Sequence, residues 1–199
     1  RDERTVRSKA SAGLRLSFLL GFPSAAGLWV LAQPIIKMLY RSLNDHEIAI
    51  AAGLLRTMAV AVLFLSIVQT LTGILQGMDR IRVPIRNLLI GAVLKVVINY
   101  ILIGIPSINI QGAPVGTLVC YGVAAFLNIV SVLRATGMKF SCSEMVIKPG
   151  CAAGFMMAVV WMVRRWVEGM IDSSTLVTLL AILIGALVYF VLLLLMGSL

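Results

Sequence analysis

Apolar residues run through this chain in six long stretches separated by short polar breaks. Residues 16–36, 48–76, 85–104, 112–133, 149–163 and 173–199 carry almost all of them. A hydrocarbon core about 30 Å thick takes about 20 helical residues, so each stretch predicts a membrane-crossing helix; the fifth is short, stopping before Arg164-Arg165. The first contains Pro23 and Pro34, which a packed membrane helix accommodates as kinks. Only Arg56 interrupts the second and only Lys95 the third. Pro106, Asn109, Gln111 and Gly112 break the uncharged run after the third. Asn44-Asp45-His46-Glu47 has capping-box spacing, with Asn44 as N-cap and Glu47 three residues on. Ser141-Cys142-Ser143-Glu144 repeats that spacing and predicts a short interfacial helix leading into the fifth stretch. Asp172 or Ser173 is the expected cap of the sixth.

Composition agrees with a chain solvated by lipid. Of 199 residues, 60% are hydrophobic and 13% charged, and mean hydropathy is +1.03. A soluble domain of this length has no way to bury so much apolar surface. The fold class expected is all-α, a polytopic membrane protein of six transmembrane helices. The 17 Lys and Arg against 8 Asp and Glu do not form a nucleic-acid footprint, because they lie in short runs between apolar stretches. Arg1, Arg4, Arg7, Lys9, Arg15, Arg80, Arg82, Arg86, Arg134, Lys139 and Lys148 fall on one side, against Lys37, Arg41, Arg164 and Arg165 on the other. The positive-inside rule then places both termini in the cytoplasm. The expected organisation is a cytoplasmic loop over 1–15, four transmembrane helices over 16–133, a cytoplasmic loop over 134–148 and two more helices over 149–199. No signal peptide precedes the first stretch, and residues 1–15 read as part of a loop between helices.

The polar residues inside the stretches narrow the chemistry. A Lys or Arg near a helix centre costs about 2.5–3.5 kcal/mol on insertion scales, so it usually faces a polar cavity or a partner. Lys95 sits about 15 Å into its helix, too deep for easy snorkelling. Asn87, Gly91, Lys95 and Asn99 recur every four residues as a polar and small stripe. Such a stripe either lines a hydrated cavity, with Lys95 as its charge, or seals one helix against another. Arg56 is about 12 Å into the second stretch, within reach of its surface by snorkelling or at the head of a second cavity-facing side. Gln69 and Gln76 add polar groups on a neighbouring arc. In the fourth stretch Thr117, Cys120, Ala124, Asn128 and Ser131 form a face expected to pack.

No Asp or Glu lies inside a stretch, which argues against a carboxylate proton relay and against a membrane hydrolase. His46 is the single histidine, and Cys120, Cys142 and Cys151 have no metal-ligand spacing, so free thiols and no cofactor are expected. Positive charge alone in the membrane favours an anionic substrate over a lipophilic cation.

Several strings resemble the second half of the stage V sporulation protein B branch of the polysaccharide transporters. The superfamily also holds the lipid II flippase and the multidrug and toxin extrusion transporters. The strings are Pro23-Ser24-Ala25-Ala26-Gly27-Leu28 with Pro34-Ile35-Ile36, then Leu55-Arg56, then Gly73-Ile74-Leu75-Gln76-Gly77 with Pro84. Lys95 with Asn99-Tyr100 and Gln111-Gly112-Ala113-Pro114-Val115-Gly116-Thr117 follow, Pro114 standing where the family more usually has alanine. The resemblance implies the C-terminal part of a two-lobed transporter, completed by an N-terminal lobe missing from this sequence. It implies a flippase for a lipid-linked oligosaccharide or peptidoglycan precursor in the bacterial cytoplasmic membrane, in sporulation or cell-wall synthesis. A drug or cation exporter of the same fold and a non-transporting scaffold for wall synthesis are the alternatives. The substrate-binding residues expected are Lys95, Arg56, Asn87, Asn99 and Gln69, with a lipid-linked anionic saccharide and membrane lipids as partners and no nucleic acid.

Overall fold

The computed structural model describes residues 3–40, 42–106, 108–137, 143–167 and 174–195, all of them helix, turn or short connection. Its helices are α1 (Glu3–Val30), α2 (Ala32–Leu39), α3 (Asp45–Gly77), α4 (Arg82–Ile103), α5 (Gly112–Thr136), α6 (Lys148–Val167) and α7 (Ser174–Leu195). A 3₁₀ turn at Asn109–Gln111 enters α5, and a π-helical turn at Ser143–Ile147 enters α6. Among the described residues, six helices are long and apolar enough to cross a membrane; α2 is the short exception.

Two boundaries differ from the expectation. Residues 3–15, expected as loop, are helical and continuous with the first span, so α1 is 28 residues long. Ala10 and Leu14 are fully buried while Arg7 and Lys9 are exposed, so this basic stretch is amphipathic and packs instead of unwinding. At the other end, Pro23 stays inside α1, whereas the chain breaks at Leu31 and restarts as α2 with Pro34 in its first turn. A proline there needs no N–H partner, so the second proline marks a helix start instead of a kink. The Asn44 box forms as expected: Asn44 Oδ1 accepts from the Glu47 N–H at 2.9 Å, and a Glu47 carboxylate oxygen accepts from the Asn44 N–H at 2.9 Å. The Ser141 box and the Asp172 or Ser173 cap lie outside the described residues.

α1 and α3 pack along each other at the centre; α5 and then α4 lie to one side, α6 and α7 to the other. Small residues bring α1 and α3 together. A Cβ at Gly21 would sit 2.7 Å from Ser66 Oγ, and the Ser17 hydroxyl is hydrogen-bonded to Thr70. With lipid as the competing apolar phase, such close van der Waals contact and interhelical hydrogen bonds hold the bundle. Two cores flank α1. One gathers Leu14 and Phe18 with Leu71 and Leu75 of α3 and Val132 of α5. The other gathers Leu19 and Leu31 with Met156, Val160, Ala181 and Tyr189. The Tyr189 hydroxyl donates to the Leu19 carbonyl at 2.8 Å, tying α7 to α1.

α4 stands at the edge of the bundle. Only 11% of its span is buried, against 22–33% for the other five. Its outer flank, including Leu89, Val93, Val96 and Tyr100, is a broad exposed apolar face.

Candidate functional site

The stripe on α4 turns inward towards α5. Asn87 is buried, and its Nδ2 donates to Asn128 Oδ1 at 2.8 Å and to Ser131 Oγ at 3.3 Å. One turn on, Gly91 lies so near the α5 backbone that a Cβ there would stand 2.5 Å from the Cys120 carbonyl oxygen. Farther along, the Asn99 amide presses on Gly116, and a Cβ at Gly112 would meet Leu102 Cβ at 2.7 Å. Three of the four stripe residues therefore build the α4–α5 seam, where the absence of a side chain on glycine permits backbone approach.

Lys95 is the exception. It lies on the same stripe but is half-exposed at the edge of the seam, close enough to Cys120 to act on it electrostatically. It is 13 residues from Arg82 and eight from Ile103, about 20 Å and 12 Å along the axis. Asn99 Oδ1 and Asn128 Nδ2 are buried without a hydrogen-bond partner among the described residues. The stripe thus keeps unspent polar capacity beside a mid-depth cation.

Arg56 belongs to a different place. Where α3 begins and α1 and α6 finish, Arg56 meets Gln33, Arg164 and Arg165 around a hollow of about 630 Å³ edged by Trp29 and Trp161. The Arg165 guanidinium lies over the Trp161 ring, 5.6 Å from its centroid. Gln69 is exposed on α3, 13 residues and about 20 Å along the helix from Arg56. The five expected site residues thus fall into a seam (Asn87, Asn99), a seam edge (Lys95), a terminal hollow (Arg56) and an open helix face (Gln69). A second, apolar cavity of about 400 Å³ lies between α1, α6 and α7. Cys120 is buried and Cys151 exposed, both free; Cys142 is outside the described residues. No cluster of three metal-ligating side chains occurs among the described residues.

The convergence of Arg164 and Arg165 on Arg56 was missed in the sequence, where the pair counts only as loop charge. The available signal was their position between Trp161 and Trp166 at the end of an apolar stretch, an interfacial pattern.

A family model described as MatE matches residues 1–101, about half of the chain. The chain belongs to the MatE family. Among curated relatives of this MatE chain, the uncharacterized membrane protein YabM of Bacillus subtilis (strain 168) is 26% identical over 129 residues, covering 65% of this chain and 23% of that protein. The probable lipid II flippase MurJ of Aquifex aeolicus (strain VF5) is 22% identical over 108 residues, 53% of this chain and 22% of that protein. A solved lipid II flippase MurJ, in an inward closed conformation, superposes with a TM-score of 0.69 at 21% identity, over 96% of this chain and 39% of that one. The matches span less than a quarter of the curated relatives' length. The described part of this MatE chain accordingly shares the helical membrane fold of part of that solved flippase.

Proposed function

We propose that this chain is one lobe of a flippase that carries a lipid-linked oligosaccharide or peptidoglycan precursor across the bacterial cytoplasmic membrane, serving cell-wall synthesis or sporulation. The observation that carries the reading is Lys95, an ammonium kept at mid-depth on the edge helix, with no Asp or Glu in the interior of any span. An uncompensated positive charge in low dielectric attracts an anion and repels a lipophilic cation. A lipid-linked pyrophosphate head group is such an anion, and one relative bears the name of a lipid II flippase.

In this reading Lys95 draws the head group into the path between two lobes, with Asn99 and Gln69 offering hydrogen bonds. Arg56 receives it nearer the end where α3 begins. Asn87, bound to Asn128, holds α4 on α5 and so sets the position of Lys95. Both ends of the chain face the cytoplasm, and alternating access comes from one lobe rocking against the other. The test is reconstitution of the whole transporter in liposomes with a fluorescent lipid-linked diphosphate sugar, followed by reduction of the dye exposed outside. Translocation that depends on Lys95 supports the proposal; equal transport of a cationic dye, with none of the lipid, overturns it.

A further inference from the structure

α4 turns two different sides to its surroundings. Lys95 lies nine residues beyond Arg86, two and a half helical turns, so the two cations face opposite ways. The Lys95 side borders the seam with α5. On the Arg86 side, Arg82, Arg86, Leu89, Val93, Val96 and Tyr100 share an exposed arc about 80° wide. Its charges come at the start and the rest of it is apolar as far as Tyr100.

Length fixes how deep those arginines lie. The 22 residues of α4 extend about 33 Å, hardly more than a hydrocarbon core of about 30 Å. Arg82 opens the helix and Arg86 follows about 6 Å along the axis, so the pair spans the head-group layer and the boundary beneath it. Ile81 and Ile85 bracket Arg82 and are 51% and 61% exposed. In open water both would hold unfavourably hydrated apolar surface, whereas lipid around this turn removes that cost.

A third guanidinium reaches the same level. Asn87 is bonded to Asn128 and Ser131, and α4 and α5 run antiparallel, so Arg134, one turn beyond Ser131, is level with the first turn of α4. Arg82, Arg86 and Arg134 are all exposed, and none of the three makes an ion pair among the described residues. Asp79, in the turn before α4, is exposed and pairs with none of them.

Depth and donor geometry choose the partner. A guanidinium presents paired N–H groups matched to two oxygens of one phosphate. Anionic head groups attract basic residues beside a span, and these three stand at head-group depth. Leu89, Val93 and Val96 continue the arc as an apolar track for acyl chains, which a soluble phosphate has no means of using.

We propose that Arg82 and Arg86, with Arg134 beside them, bind the phosphate of an anionic phospholipid whose acyl chains lie along the outer arc of α4. The lipid covers the span that the protein itself covers least. The site is on the opposite side of the helix from Lys95 and does not depend on what Lys95 carries.

The experiment holds the full chain in phosphatidylcholine nanodiscs and raises their share of phosphatidylglycerol; the two lipids have a phosphate in common and differ in net charge. Native mass spectrometry after release into detergent counts the lipid retained. Phosphatidylglycerol is expected to be kept in preference to phosphatidylcholine. Its apparent affinity is expected to fall about fivefold in Arg82→Gln and in Arg86→Gln, one basic residue's share of the attraction at a membrane surface, and further when both are changed. Arg86→Lys is expected to fall between wild type and Arg86→Gln, because the charge stays and the paired donors go. Lys9→Gln, which removes the same charge from the exposed start of α1 at the same end, is expected to retain the lipid as wild type does. Equal retention of the two lipids by the wild type, or wild-type retention by the double Gln variant, overturns the site. So does a loss in Lys9→Gln as large as that in Arg86→Gln, which would assign the attraction to the net charge of that end. Retention is read without transport, so the site stands or falls separately from the flippase reading.

Discussion

Lys95 is the side chain whose cost most needs a return in function. At mid-depth its ammonium opposes insertion by about 2.5–3.5 kcal/mol. If it served only to pack α4 on α5, alanine or glutamine would do better, because neither carries a charge. In the whole transporter, Lys95→Ala and Lys95→Gln are therefore expected to abolish rescue of a flippase-deficient strain at normal abundance on immunoblots. Lys95→Arg is expected to restore part of it, keeping the charge with different geometry. Full rescue by the Ala and Gln variants would leave Lys95 a snorkelled or packing residue. Arg56 differs in kind: it is exposed and shares its hollow with two other guanidiniums.

The α4–α5 seam rests on places where a side chain is missing. A methyl group at Gly91 would lie 2.5 Å from the backbone oxygen of Cys120, and neither helix can yield without shifting. Gly91→Ala is expected to destabilise the bundle by about 1–3 kcal/mol, the usual range for overpacking. Gly122→Ala on α5, where the added Cβ meets nothing within 4 Å, is the matched control and is expected to be neutral or slightly stabilising. Thermal unfolding in detergent would read both, and equal midpoints would contradict the seam. This seam also marks how far the sequence could be read. The four-residue period of Asn87, Gly91, Lys95 and Asn99 was visible, because periodicity defines a face. What covers that face was not, since it depends on Asn128, Ser131 and Gly116 arriving from a helix 17 to 44 residues away. The spans were legible for the opposite reason: crossing lipid requires a length and a composition that any stretch either has or lacks. The helical start of α1 was hidden because Arg7, Lys9 and Arg15 mask the amphipathic placement of Ala10 and Leu14.

At the scale of the molecule, the order of spans makes two predictions. Alternating helices put Arg134 and Trp166 at opposite ends of α5 and α6. In a background with Cys120, Cys142 and Cys151 replaced, a membrane-impermeant thiol reagent on intact cells is expected to label Trp166→Cys and spare Arg134→Cys. The reverse pattern would invert the proposed orientation, and labelling of both would break the span order. The second prediction follows from α4. Its exposed flank is apolar, only 11% of its span is buried, and Lys95 stands at the edge of that flank. On the proposed reading, one lobe alone would offer the head group a charge but no opposite wall, leaving the path open to water and lipid with nothing to close over the substrate. Alternating access requires two bodies that rock against each other, and the solved flippase that this fold matches is covered to only 39% of its chain. The 199-residue chain in liposomes is therefore expected to give no translocation of a lipid-linked diphosphate. Vectorial flipping by this chain alone, at the rate of the whole transporter, would show that the path is complete within six helices and that α4 faces lipid and no second lobe.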